Sequence, residues 1–271
     1  MIRFLLDGAI YFFVFCLFIL ADCIFGQSTS DHIWVGGYQK NFDGQGGHNM
    51  HIMDFSNDTL NTGYINGPMG ILDNNASICN HEGSLLFYTN GRTVMNAHHE
   101  IIENGRDIND GDWARRYWPD PTRGFPGSQD IMILPGPRLN GGYYMLHKSP
   151  VYNPPAKDSI EIRYSYIEHN TNSDQSEVTE KNVKFYLKND MLLLYLTAIR
   201  HSNQKDWWVL QPLLGASILT ILINDNGIIL DKTQSSHQVF DSFRSSASGT
   251  AKFSPDGTKY AIYNYYDQLQ I

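Results

Sequence analysis

The chain has 271 residues, 42% of them hydrophobic and 18% charged, with a formal net charge of −8. That apolar fraction excludes a disordered chain, and the length allows one large domain or two ordinary ones. An acidic balance with no Lys/Arg cluster argues against duplex nucleic acid, because phosphate binding needs a basic face. The 16 Tyr, 14 Phe, 5 Trp and 23 Gly lean toward strands joined by turns.

In chain order, the first feature is an address. Arg3 precedes the uncharged run Gly8–Ala21, and Asp22 follows it. A short apolar run after a basic start reads as a secretory signal peptide over residues 1–26, cut after Gly26. The rival reading is an uncleaved anchor, which Asp22 weakens. Leu20-Ala21-Asp22-Cys23 resembles a lipoprotein box but lacks the small residue needed before the Cys. Cleavage removes Cys16 and Cys23 and leaves Cys79, so the mature domain, residues 27–271, has no internal disulfide and needs a large core. Cys79 itself reads as a small buried hydrophobe in a strand.

Ala76–Cys79 and Leu85–Tyr88 flank Asn80-His81-Glu82-Gly83, a β-hairpin with Gly at the turn. Further on, His98 and Glu100 can share a strand face whereas His98 and His99 cannot, and no third metal ligand is identifiable. Asp107, Asn109, Asp110 and Asp112 form the densest oxygen cluster and are the candidate calcium ligands. Asp107 and Asn109 match the first and third positions of a calcium loop, but Trp118 stands where its last Glu belongs. No other cofactor is implied.

Trp113, Arg115, Arg116, Tyr117, Trp118 and Arg123 lie in the connection Asn104–Gln129, which reads as one long loop. Long connections without secondary structure tend to carry function. Flat aromatic faces beside planar Arg forks suit a carbohydrate, a peptide or a protein partner. The alternative is that these rings pack on neighbouring elements.

Three more hairpins follow. Asp130–Pro135 and Tyr143–His147 flank Arg138–Gly142. Leu194–His201 and Trp207–Gln211 flank Ser202–Asp206. The stretch Gly249–Tyr263 turns at Pro255-Asp256-Gly257. Between them Ser159–Ile167 alternates as a strand, and Asn224-Asp225-Asn226-Gly227 is the strongest short hairpin signal. Met191–Ala198 competes as a helix start but runs straight into a turn. The turn centres recur about every 53 to 63 residues, which leaves room for four strands per period. The expectation is an all-β chain: a β-propeller of about four antiparallel four-stranded blades, incomplete as encoded.

Several segments together resemble the opening of secreted β-propeller proteins of Bacteroidota. They are His32–Tyr38, Met53–Phe55, Asn75–Gly91, Asn96–Gly105, Asp130–His147, Val178–Val183, Leu196–Trp208 and Lys252–Lys259. The resemblance spans roughly residues 32 to 263. It implies a secreted or cell-surface location. In that group a C-terminal sorting domain, read by the type IX secretion system, follows six or seven blades. The chain stops at Ile271, so it is expected to be an N-terminal part of such a protein, with further domains beyond it. Its last strand, Tyr260–Tyr266, would otherwise be an unpaired edge.

The functional expectation is a secreted or cell-surface binding scaffold of unidentified ligand, with no membrane span once the leader is removed. One alternative is a propeller-based hydrolase or lyase whose site is completed by missing blades. The other is a non-functional gene fragment.

Overall fold

A computed structural model describes residues 29–37, 50–57, 59–65, 67–71, 74–117, 119–127, 129–137, 141–151, 159–188, 195–240, 249–264 and 268–270. The expected leader, residues 1–26 with Cys16 and Cys23, and also Trp118, Arg138–Asn140, Met191–Leu194 and Tyr265–Tyr266, lie outside the described residues.

Hairpin chemistry decides where the strands reverse. In the Asn80 turn, Asn80 Oδ1 accepts from the backbone N–H of Glu82 and of Ser84, and Gly83 takes φ +84°. Asn203 does the same for Lys205 and Asp206, and Asp256 Oδ1 accepts from Thr258 N while Gly257 takes φ +70°. In each turn a short polar side chain replaces water on inward amides, and a left-handed residue closes the reversal.

These turns produce five antiparallel sheets among the described residues, each a simple meander. Sheet I holds β1 (Ile33–Gly37), β2 (Met50–Asp54) and β3 (Asn61–Ile65). Sheet II holds β4 (Ala76–Cys79), β5 (Leu85–Thr89) and β6 (Val94–Asn96). Sheet III holds β7 (Ile131–Pro135), β8 (Gly142–Val151), β9 (Ser159–Asn170) and β10 (Gln175–Lys188). Sheet IV holds β11 (Thr197–Arg200), β12 (Trp207–Leu213), β13 (Gly215–Asn224) and β14 (Gly227–Phe240). Sheet V holds β15 (Gly249–Phe253), β16 (Tyr260–Asn264) and β17 (Gln268–Gln270).

The four hairpins therefore mark sheets II to V, and sheet I adds a fifth unit. Sheets III and IV have the expected four strands, and the others show three. In sheet II the next segment still runs back along β6, through a bridge between Met95 and Ile101. The described part of the Met191–Ala198 run forms no helix: Tyr195, at φ +75°, and Leu196 are buried ahead of β11, and Thr197 begins the strand.

The core lies between successive sheets. Val35 and Met50 of sheet I meet Tyr88 and Met95 of sheet II. Ile78, Phe87 and Val94 of sheet II meet Ile133, Met145 and Ile167 of sheet III. Tyr144, Leu146 and Ile162 of sheet III meet Val209, Leu219 and Ile221 of sheet IV. Tyr195, just before sheet IV, meets Ala251 and Ile262 of sheet V. On β8 the alternation is explicit: Met145 faces sheet II, and Tyr144 and Leu146 face sheet IV. A strand buried on both faces reads as a continuous apolar run, which is what GYYMLH is.

First strands adjoin one another: β1 contacts β4, β4 contacts β7 and β11 contacts β15. Polar groups reinforce these joins. Cys79 is buried, as expected, and its Sγ accepts from Ile33 N at 3.3 Å. Gln129, just before β7, spreads its amide over Ala251 of β15, donating to the carbonyl at 2.6 Å and accepting from the N–H at 2.7 Å. The two central tryptophans split as period two demands. Trp207 packs on the core between sheets III and IV and donates from Nε1 to Pro135 O, whereas Trp208 stacks on His201.

Ile221 is fully buried between sheets III and IV. Ile221→Ala is expected to cost about 2–5 kcal/mol of unfolding free energy in chemical denaturation. A loss under about 1 kcal/mol would mean that this interface is not a packed one.

Candidate functional site

The interface between sheets II and III changes character along its length. Near Met145 and Ile167 it is apolar. Two residues further on, the same faces of β8 and β9 present His147, Ser165, Arg163 and Glu161, all buried. The connection 104–129 packs over this polar end.

That connection is more ordered than the sequence reading expected. It contains helix α1 (Asp112–Tyr117) and a 3-10 turn, Pro121–Arg123. Ala114 is buried beneath the helix, and Trp113 rests on Tyr117 one turn later and on Phe125, with ring centroids 5.7 and 5.6 Å apart. An aromatic pair at i, i+4 with an acidic first residue gives this short helix local support. Asp120 caps the second turn by accepting from Thr122 N at 2.9 Å.

A ring of hydrogen bonds fastens the connection to sheet III. His147 Nδ1 lies 2.5 Å from Asn109 Oδ1, and its Nε2 lies 3.1 Å from Ser165 Oγ. Asn109 Nδ2 donates to Gly91 O, so its oxygen is the atom facing His147 and Nδ1 carries the proton. Asn182 sits at φ +54° within the irregular pairing of β10 with β9. It donates from its backbone N to Ser165 Oγ and from Nδ2 to Asp107 O, and its Oδ1 accepts from Asn109 N. Burial, reinforced by the nearby Arg163 charge, pushes the His147 imidazole down to about 3. The ring is therefore held by a neutral histidine.

Beside this ring lies a cleft of about 290 Å³. Trp113, Arg115, Asp110 and Asp112 form one wall, and Arg163, Asn182 and Lys184 form the other. Three carboxylates and three cations balance across the cleft as a whole. Arg115 binds Asp110 and also Asp112, the latter at 2.9 Å. Buried Glu161 accepts from Arg163 at 2.6 Å and from Lys184 at 2.7 Å. Arg163 also donates to the carbonyl of Asp110 at 3.0 Å, which joins the two walls. The Asp112 and Asp110 carboxylates raise the Arg115 guanidinium above its ordinary value.

Of the expected contact residues, the structure brings Trp113 and Arg115 into the cleft. Arg116 and Tyr117 stand exposed on α1, with the Arg116 guanidinium 5.7 Å over the Tyr117 ring. Arg123 sits apart on the 3-10 turn. Trp118 lies outside the described residues. The expected calcium set divides. Asn109 commits its amide oxygen to His147, while Asp110 and Asp112 face Arg115, so arginine supplies the positive charge there. With side chains as they stand, no group of three His, Cys, Asp or Glu among the described residues is placed to hold a metal ion. Glu161, Arg163, Asn182 and Lys184 were not singled out by sequence. The alternating charges of Ser159–Ile167 carried the signal for the first two, and the bulge that turns Asn182 carried none.

No protein-family model matches this chain, and neither a curated protein nor a solved structure matches it. Among the described residues no helix is long and apolar enough to cross a membrane.

A second buried charge pair braces the start of β7. Lys148 Nζ lies 2.8 Å from Asp130 Oδ1, with both side chains almost wholly enclosed. Burial pushes the Asp130 carboxyl up to about 6 although Lys148 pulls it back.

The histidine ring predicts an acid limb. In the unfolded chain His147 takes a proton near pH 6.5, whereas in the fold it resists until about 3. Its contribution is complete above pH 6.5 and declines as the pH falls toward 3, by about 1.4 kcal/mol per pH unit. Asp130 acts in the opposite sense between about 3.8 and 6, because its folded form holds a proton more readily. His147→Gln should therefore lower the slope of stability against pH by about 1.4 kcal/mol per unit across this window, measured by urea denaturation. An unchanged slope would show that the imidazole is not enclosed.

Proposed function

We propose that this protein is a secreted or cell-surface binding scaffold built as a β-propeller, and that the cleft beside α1 holds a short carbohydrate. Support for the propeller comes from five successive meanders stacked face to face, with first strands adjoining. The reach of Gln129 from sheet III to Ala251 in sheet V adds to it, because radial stacking brings first strands toward a common axis. The leader at residues 1–26 and the resemblance to secreted propellers of Bacteroidota belong with this reading.

The observation that carries the binding role is the cleft itself. It joins one aromatic face, Trp113, to paired carboxylates and cations whose charges balance. A balanced array has no net preference for an anion or a cation. It offers donors and acceptors side by side, which suits hydroxyl groups that both give and take hydrogen bonds. An aromatic plane suits the apolar face of a sugar ring. The volume lies at the small end of ligand sites, which run from roughly 300 to 1,000 Å³. Asp110 and Asp112 are both bound by Arg115, which favours binding over acid–base chemistry.

A glycan array should reveal binding by the wild-type protein. Trp113→Ala and Arg115→Ala should each weaken any hit by about tenfold or more. Arg115 is well exposed, so its variant keeps the fold even if loss of Trp113 loosens α1. Binding that survives both changes would place the ligand elsewhere, and hits confined to a parallel peptide array would replace the carbohydrate with a peptide.

A further inference from the structure

One buried pair serves neither the cleft nor the histidine ring. Lys148 and Asp130 are neighbours across the β7–β8 ladder, one step beyond the pair Ile131 and His147, and Lys148 N donates to Asp130 O at 3.0 Å. Cross-strand neighbours project their side chains to the same face. Lys148 Nζ therefore meets the Asp130 carboxyl, 2.8 Å from Oδ1, with the two side chains 1% and 2% exposed. The contact is close, yet Oδ1 has no partner in hydrogen-bond geometry. Asn74, just ahead of β4, is held beside it. Its Oδ1 accepts from Asp130 N at 3.2 Å, and its Nδ2 is buried without a partner. A Cβ on Gly127 would run into Asp130 Oδ2 and stand 3.5 Å from Asn74 Nδ2, so both atoms border the space that this glycine leaves open.

We propose that Lys148 and Asp130 condense into an isopeptide bond, a covalent cross-link between β8 and the residue that opens β7. Enclosure drives the pair toward its neutral form, because burying two full charges strips both of hydration. It pushes the Asp130 carboxyl up to about 6 and lowers the Lys148 ammonium, although each charge opposes the shift of the other. Moving one proton from Nζ to the carboxylate yields an amine and a carboxylic acid, the nucleophile and the electrophile of amide formation. The Nζ lone pair attacks Cγ, and the new Nζ–Cγ bond makes Cγ tetrahedral with negative charge on one oxygen. Asn74 Nδ2 is the unpartnered donor beside that oxygen. The Cγ–OH bond then breaks, the hydroxyl leaves with a proton from Nζ, and one water is released. The balance needs no oxidant and no activating co-reactant. Held in contact by the ladder, the two groups react without the entropy of an encounter. The titration of Asp130 near pH 6 belongs to the pair before it links.

The test is the mass of the tryptic peptides of the full chain, denatured after purification. Trypsin cuts an unlinked chain after Arg123, Arg138, Lys148 and Lys157. A linked Lys148 is not cut, so peptide 124–138 stays joined to peptide 139–157 with the loss of about 18 Da, one water. Fragmentation should place the branch at Lys148 and Asp130. Lys148→Arg and Asp130→Ala should each restore the full mass. Should either variant fail to fold, the wild-type spectrum decides alone. Asn74→Ala should slow formation of the link by about a hundredfold, read as the linked fraction against time after synthesis. Linking at the wild-type rate in that variant would overturn the part assigned to Asn74. Wild-type peptides at full mass, with Lys148 cleaved, would overturn the cross-link and leave an ion pair. Loss of water mapped to other residues would overturn it equally.

Discussion

Everything in this molecule depends on the apolar faces that successive sheets turn toward each other. A meander of three or four short strands cannot bury enough surface alone. Sheets II, III and IV solve this by being apolar on both faces, so each needs a neighbour on either side. The demand passes along the chain, and the fold becomes a stack in which each inner sheet is half of two cores. Nothing in this arrangement needs a disulfide, and the lone described cysteine serves as a buried acceptor at one of the joins.

The same arrangement creates the places where chemistry collects. A sheet interface is apolar only while the alternation of both partners holds. On the sheet II side of β8 and β9 the alternation passes from Met145 and Ile167 to His147, Ser165 and Arg163. Buried polar atoms there need partners, because an unmet donor costs about 1–3 kcal/mol. The connection after sheet II supplies them through Asn109 and the backbone of Asp107 and Asp110. The cleft beside α1 is thus the outer edge of a satisfied polar network. Its side chains are held from behind, which is a condition for recognising a small ligand without a large ordering cost.

Much of the architecture could be read from the residues, and the reasons are local. The turns at Asn80–Gly83, Ser202–Asp206 and Pro255–Gly257 are specified by short polar side chains and left-handed residues within a few positions. Strand limits followed from them, as Ala76–Cys79 did to the residue. Sheet I escaped the hairpin count because Met50–Asp54 and Asn61–Ile65 are joined without a Gly turn. Helix α1 escaped because six residues carry too few periods to reveal a helix, and its support from Phe125 is tertiary. The cleft was half visible. Trp113 and Arg115 stood out by composition, but Lys184 and Asn182 arrive from 70 or so residues away through bulged pairing that no local pattern announces.

The amide of Gln129 is a mechanical link between sheets III and V. Its oxygen and nitrogen together hold the N–H and carbonyl of Ala251, as a neighbouring strand would, at 2.7 and 2.6 Å. Force applied to the C-terminal strands would therefore divide between two routes. One runs through the apolar contact of sheet V with sheet IV, which peels gradually. The other runs through this pair of parallel hydrogen bonds directly into sheet III, and such bonds resist until both break together. One glutamine side chain therefore sets the abruptness with which sheet V lets go.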